Sequence, residues 1–268
     1  YAVIAANLAK HPAKKLKLIG VTGTNGKTTV THLVRTILMH NGKSCGLIGT
    51  NEVLIGEKTI ESKTTTPEPP ELNAYFSEMV AQGCEYCVME VSSHALSLHR
   101  VDGLEFEVGA FTNLTRDHLN YHKDMESYGN AKSNLFKMSK KSVINIDDEY
   151  SGLMQKSATG KVLTFSSYKN EADLVAKNIR LNPGSVEFEA LSTGKIYRMK
   201  LGIPGMFSVG NALAAIGICC ELGLEFADIA KGLYAAQGVC GRAEVMRIDK
   251  EYFISIFKPP SLNGFKLP

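Results

Sequence analysis

The sequence predicts an α/β fold, a mostly parallel sheet flanked by helices with a small antiparallel β subsheet following it. Two observations carry that expectation. Short, nearly all-apolar runs at 16–21, 45–48, 86–91, 108–111, 142–146 and 162–165 read as strands buried on both faces. Helical patterns at 27–40, 71–82, 127–138 and 149–156 separate most of them. Beyond Asp173 the texture changes to alternating stretches at 176–181, 186–190 and 196–201. Turn residues at Asn182-Pro183-Gly184 and at 192–195 join these stretches, which reads as antiparallel hairpins. A helical pair at 208–222 and 225–236 follows, with Gly223 placed as the cap between its members.

Composition narrows the function classes. The 268 residues have room for one large or two modest domains, and 44% hydrophobic against 21% charged residues excludes a disordered tail or a collagen-like repeat. Thirty Lys and Arg against 27 Asp and Glu leave a net charge of +3, too little for a phosphate-neutralising surface, which argues against a nucleic-acid partner. The longest apolar helical run, 212–220, stops at Glu221, short of the roughly 20 residues a membrane crossing needs, so no membrane span is expected. Cys45, Cys84, Cys87, Cys219, Cys220 and Cys240 are scattered through apolar segments. They read as reduced core thiols in a cytoplasmic protein, and the Cys84-x-x-Cys87 pair has no second pair to complete a zinc site. The chain begins at Tyr1 and not at Met, which predicts a piece of a longer protein.

One segment carries chemistry by its own pattern. Gly20-Val-Thr-Gly23-Thr24-Asn25-Gly26-Lys27-Thr28-Thr29 lies between a strand and a helix, where backbone N–H groups and the helix N-terminus cradle phosphate oxygens. Lys27 is expected to reach the terminal phosphates and the Thr28 hydroxyl to ligate Mg²⁺, making this a P-loop sheet. Val21 stands where the strict pattern has Gly, so the loop is a variant. Glu90 and His118 follow strand candidates, at the carboxyl edge where open α/β sheets present ligands. Read on its own chemistry, His118 is either a metal ligand or a hydrogen-bonded structural histidine, because Mg²⁺ favours oxygen. Lys132 by itself reads as a solvated helical lysine, and Thr65, Thr66, Ser92 and Arg100 as ordinary loop residues.

Separated stretches together resemble the Mur ligase family. They are Gly23-Thr-Asn-Gly-Lys-Thr-Thr29, Thr64-Thr-Thr-Pro67, Glu90-Val-Ser-Ser-His-Ala-Leu96 and Asn113-Leu-Thr-Arg-Asp-His-Leu-Asn-Tyr-His122, in the family's order and approximate spacing. The resemblance points to the branch that adds the third peptide residue to a cell-wall precursor. It implies a central ATPase domain over 15–248, a remnant of an N-terminal UDP-binding domain or linker at 1–14, and an aberrant or truncated start of a C-terminal domain at 249–268. The cofactors it implies are ATP and Mg²⁺. The partners are UDP-N-acetylmuramoyl-L-alanyl-D-glutamate and a diamino acid, L-lysine or meso-diaminopimelate.

The resemblance also implies residue roles. Lys27, Glu90, His118 and Lys132 are the catalytic set, with Thr28, Glu90, His118 and a carbamylated Lys132 as metal ligands. Gly23 to Thr29 and Asn211 hold the nucleotide, although neighbouring Ser208 and Gly210 depart from the family's usual Asn and Tyr. Thr65, Thr66, Ser92 and Arg100 hold the muramoyl-peptide, with Leu98 where many relatives have Gln. His94, His99 and His122 carry no comparable role. Gly241-Arg-Ala-Glu244 matches a junction motif, with Cys240 in place of the common Pro. Beyond it the family's wording stops, and a frameshifted or prematurely ended reading would account for 249–268. Two readings of different class stay open, the core of an amide ligase and a nucleotide- and substrate-binding module without catalysis. A folylpolyglutamate-type synthetase shares the phosphate loop but not the wording at 90–96 or 116–122.

Overall fold

The computed structural model describes residues 1–236 and the backbone of 244–248 and 251–255. Helix α1 (Ala2–Leu8) and a 3-10 turn (Pro12–Lys15) lead into β1 (Lys17–Thr22), the phosphate loop and α2 (Lys27–His40). Then come β2 (Cys45–Ile48), a hairpin of β3 (Glu52–Ile55) and β4 (Lys58–Glu61), α3 (Pro69–Ala81), β5 (Tyr86–Glu90) and the short α4 (Ser93–Ser97). The alternation continues through β6 (Phe106–Phe111), α5 (Met125–Lys137), β7 (Ser139–Asn145), α6 (Ser151–Ser157) and β8 (Lys161–Ser166). Strands β9 (Leu174–Asn182), β10 (Ser185–Ser192) and β11 (Lys195–Leu201) precede α7 (Met206–Glu221) and α8 (Phe226–Ala235). Strands β12 (Glu244–Ile248) and β13 (Glu251–Ser255) pair antiparallel as a separate two-stranded sheet. Cys240 and residues 241–243 of the junction motif lie outside the described residues, as does most of 249–268.

The expected α/β architecture is observed, with one refinement. All strands from β1 to β11 join a single eleven-stranded sheet in the order β11-β10-β9-β8-β7-β6-β1-β5-β2-β3-β4. The antiparallel hairpins are continuous with the parallel sheet, because β8 and β9 pair in parallel over Phe165↔Leu174 and Ser166↔Val175. A second antiparallel hairpin, β3–β4, extends the other edge through β2.

Side-chain alternation along β1 sends Ile19 and Val21 to the face covered by α2, α7 and α8, and Leu18 to the face covered by α3. Both faces are dry, which is why β5 reads as an unbroken apolar run ending in buried Glu90. Helix α7 is apolar nearly all round because it lies against the sheet on one side and α2 and α8 on the other. Cys45, Cys84, Cys87 and Cys219 are buried and free; burial pushes the Cys45 thiol up to about 12 and raises those of Cys87 and Cys219, so these three are inert core thiols.

β1 sits between β5 and β6, where the chain's path across the sheet reverses. In open α/β sheets that position places a crevice at the carboxyl ends of the strands.

Candidate active site

The phosphate loop leaves β1 at Thr22 and enters α2 at Lys27. Gly26 is the N-cap of α2 in left-handed backbone (φ 87°) with no side-chain cap, so the first N–H groups of the helix are not spent on a capping side chain. Gly23 is required for a different reason: at φ 148° a Cβ there would run into Thr112 Oγ1. The loop is pinned from the end of β6. Thr24 N donates to Asn113 O (2.8 Å), Asn25 N donates to Asn113 Oδ1 (2.9 Å), and Thr112 Oγ1 donates to Asn25 O (2.6 Å). Lys27 Nζ folds over the loop, donating to Gly23 O (3.0 Å) and Thr24 O (2.9 Å).

Beneath the loop, Glu90 is fully buried at the end of β5. Its Oε1 accepts from Thr28 Oγ1 (2.9 Å) and Thr50 N (2.8 Å), and its Oε2 accepts from Thr50 Oγ1 (3.0 Å). Gly49 makes room for it, since a Cβ there would stand 2.8 Å from Oε1. Thr28 and Glu90 are thus brought together as hard oxygen donors, the kind Mg²⁺ takes, at the phosphate loop itself. Among the described residues no group of three or more His, Cys, Asp or Glu clusters as a metal site.

A cavity of about 260 Å³ opens beside this pair and is lined by Lys27, Thr64, Thr65, Thr66, Ser92, Ser93, His94, Arg100, His118, Tyr128 and Lys132. His118 and Lys132 therefore line the cavity that opens beside the Thr28–Glu90 pair. Lys132 corrects the reading of a solvated lysine. It is 1% exposed on α5, donates to Gly23 O (2.8 Å) and lies 4.6 Å from the Tyr128 ring centre. Burial, with Lys27 adding and Asp117 opposing, holds its amine well below the usual lysine range. The Thr65 and Thr50 hydroxyl oxygens lie 3.1 Å apart, at hydrogen-bond distance. The Thr66 hydroxyl is buried and donates to Glu90 O (2.9 Å), and Ser92 Oγ caps α4 by accepting from Ala95 N (3.1 Å). Arg100 Nη1 donates to Thr66 O (3.0 Å).

Two histidines given no role by sequence lie in or behind the wall of this cavity. His94 lines the cavity, its ring 5.1 Å from that of His118. Burial first, then His118, Arg100 and Lys132, keep its imidazole below the ordinary value. His122 is buried, bonded to Ser93 Oγ (3.0 Å) and stacked on Tyr128 at 5.0 Å. His99 pairs at the surface with Asp102 (2.9 Å), and Leu98 is half exposed outside the cavity wall.

The Mur ligase middle domain family matches residues 21–219 of the sequence. The chain belongs to the Mur ligase family. It is 46% identical over 266 residues to a UDP-N-acetylmuramoyl-L-alanyl-D-glutamate–2,6-diaminopimelate ligase of Caldanaerobacter subterraneus subsp. tengcongensis, covering 99% of this chain and 55% of that protein. A ligase of the same name from Clostridium acetobutylicum, numbered 1 in that organism, is 46% identical over 245 residues, covering 91% and 51%. A solved structure of a ligase of this name superposes with a TM-score of 0.83 at 31% identity, covering 93% of this chain and 52% of that one. MurF of Thermotoga maritima in complex with ADP shares the fold, with a TM-score of 0.66 at 21% identity. The chain spans about half the length of the curated relatives it matches.

On the other side of this Mur ligase phosphate loop lies a larger cavity of about 570 Å³. Asn25, Gly26 and Thr29 form its floor, and Asn145, Asp147, Tyr168, Phe207 and Asn211 its walls. Asn211 stands on α7 directly over Gly26, where a Cβ would meet its Oδ1. Ser208 is buried and donates to Pro204 O (2.8 Å), so it is structural, whereas Gly210 lines the cavity. Sequence reasoning missed Thr50, Thr112, Asn145, Asp147, Tyr168 and Phe207. Their signal was positional only, since Thr50, Thr112, Asn145 and Asp147 each sit at or just past the carboxyl end of a predicted strand.

Proposed function

We propose that this chain is the nucleotide- and acceptor-binding core of an ATP-dependent amide ligase. Its reaction adds 2,6-diaminopimelate to UDP-N-acetylmuramoyl-L-alanyl-D-glutamate in peptidoglycan precursor synthesis. The observation that carries the reading is the meeting of two cavities at one phosphate loop, the larger suited to a nucleoside and the smaller walled by Lys27, Arg100 and Lys132. The relatives' names supply the substrates, and they favour diaminopimelate over lysine. ATP and UDP-linked precursors are cytoplasmic pools, so the reading carries a cytoplasmic location; among the described residues no helix is long and apolar enough to cross a membrane.

In this reading the acceptor's side-chain carboxylate oxygen attacks the γ-phosphorus, ADP leaves, and the incoming amine displaces phosphate from the acyl phosphate to form the amide. Such phosphoryl transfer depends on alignment and charge neutralisation, with no covalent intermediate on the protein. The α2 N-terminus and Lys27 bind phosphate oxygens, and Asn211 orients the base end. Arg100 and Thr65 hold the acceptor. Thr28 and Glu90 present oxygen donors for Mg²⁺, with His118 and Lys132 on the acceptor side of the same locus. Mg²⁺, when bound, supplies charge neutralisation on the transferring phosphoryl group. The Lys132 amine, held toward its neutral form, can add CO₂ with loss of one proton and become an anionic carbamate ligand.

Phosphate release on mixing the chain with Mg-ATP and UDP-N-acetylmuramoyl-L-alanyl-D-glutamate tests the reading. Release that depends on the muramoyl-dipeptide and disappears in Lys27→Ala supports the ligase core. Nucleotide binding without such release favours the non-catalytic binding module, and no nucleotide binding removes both.

A further inference from the structure

Arg100, a cation of the acceptor-side cavity, leaves part of its hydrogen-bonding capacity unused. Its side chain is 19% exposed; Nη1 donates to Thr66 O (3.0 Å), and Nη2 lies 2.6 Å from Glu68 Oε1. The third donor position, Nε, is buried and has no hydrogen-bond partner. Nε and Nη2 are the parallel donors of one guanidinium edge, the fork that a carboxylate takes with both oxygens. Glu68 takes one prong, and a buried donor left without an acceptor is a standing cost to the folded site. A carboxylate that spans both prongs satisfies more of Arg100 than Glu68 does.

Glu68 is held to the fold by its main chain more than by its side chain. It sits at the N-cap of α3 with no side-chain cap bond, and its side chain is 52% exposed. Pro69 follows it and the backbone is extended (φ −67°, ψ 153°), so the main chain is restrained while the exposed side chain retains its rotamer freedom. Leu72 N donates to Glu68 O (2.9 Å), which fixes the pivot. The cavity wall holds Lys27, Arg100 and Lys132 and no carboxylate, so Glu68 is an acid at the rim of a cationic site.

We propose that Glu68 is a gate on Arg100, a tethered carboxylate that an acceptor carboxylate must displace, and that it thereby sets acceptor affinity. This rests on the acceptor-cavity reading above. Glu68 acts through Arg100 and is a positioning residue.

Calorimetric titration of the chain with UDP-N-acetylmuramoyl-L-alanyl-D-glutamate tests it, with a non-hydrolysable Mg-ATP analogue titrated in parallel. Glu68→Gln and Glu68→Ala are expected to lower the acceptor Kd roughly two- to tenfold, in line with a partly exposed ion pair, with the analogue's Kd unchanged. In an Arg100→Lys background, which lacks the fork, the gain from Glu68→Gln is expected to vanish. An acceptor Kd that is unchanged or weaker in both Glu68 variants overturns the gate, as does a gain that persists beside Lys at 100. Wild-type chain that binds the ATP analogue but not the muramoyl-dipeptide overturns the acceptor reading itself, and the gate with it.

Discussion

Lys132 shows how burial changes what a residue type means. A lysine on a helix reads as solvated, and only the fold reveals that α5 turns it under the phosphate loop against Gly23 O and the Tyr128 ring. Sequence motif reading found it through resemblance and not through its own chemistry. His32 makes the same point with a measurable consequence. It approaches Glu52 at 3.8 Å, yet burial, with Arg35 adding, lowers its pKa from 6.5 to about 4, so at neutral pH the imidazole is uncharged and this is no ion pair. The unfolded chain binds that proton near pH 6.5 and the folded chain refuses it until about pH 4. Stability is therefore intact above pH 6.5 and falls as pH drops through the window, by roughly 3 kcal/mol at the acid limit. Urea unfolding of wild type and His32→Gln at pH 7 and pH 4.5 checks this. The variant is expected to lose roughly 2–3 kcal/mol less between the two conditions, and parallel losses would contradict the assignment.

Elements that bury a face were legible and those that do not were missed. The 27–40 helix was readable to its ends because Thr28, Thr31, Val34 and Leu38 repeat at helical spacing behind a glycine loop. The β3–β4 hairpin was missed because it buries only Val53 and Ile55; its one signal was Gly56-Glu57 between two short β-branched runs, with Gly56 at φ 59°. Helix α4 has five residues and no periodicity to read, so the segment that carries Ser92 and His94 to the cavity had to be seen in the fold. Packing between elements gives a paired prediction. A Cβ at Gly232 of α8 would stand 2.7 Å from the Ile37 backbone of α2, whereas one at Gly152 of α6 meets nothing within 4 Å. Gly232→Ala is expected to cost about 1–3 kcal/mol because the helix axes must separate. Gly152→Ala is expected to gain roughly 0.5 kcal/mol by reducing the freedom of the unfolded chain. Thermal unfolding of both variants reads the two signs, and equal effects would mean that α2 and α8 are not in tight register.

At the scale of the molecule, the sheet order places two half-sites on opposite sides of one loop. The nucleoside-sized cavity draws on β6, β7, β8 and α7, and the smaller cationic one on the segments after β4 and β5 and on α5. Lys27 lines the smaller cavity and also the small cleft with Thr28, Thr50 and Glu90, and that cleft shares Asn25, Gly26 and Thr29 with the larger cavity, so the halves meet along this loop. Asn211 borders only the nucleoside side and Arg100 only the acceptor side. Substitutions should then separate by ligand in a pattern that a general loss of folding cannot imitate. Asn211→Ala is expected to weaken a Mg-ATP analogue about tenfold, one charge-neutral contact's worth, and to leave the muramoyl-dipeptide untouched. Arg100→Ala reverses that pattern. Lys27→Ala weakens both, the nucleotide by at least roughly tenfold because a charge-assisted bond to phosphate is lost. Calorimetry with each ligand on the three variants reads the matrix directly. Were Lys27→Ala to spare the acceptor, Lys27 would not reach the occupant of the smaller cavity in solution, and its place between the two ligands during phosphoryl transfer would lose its structural basis.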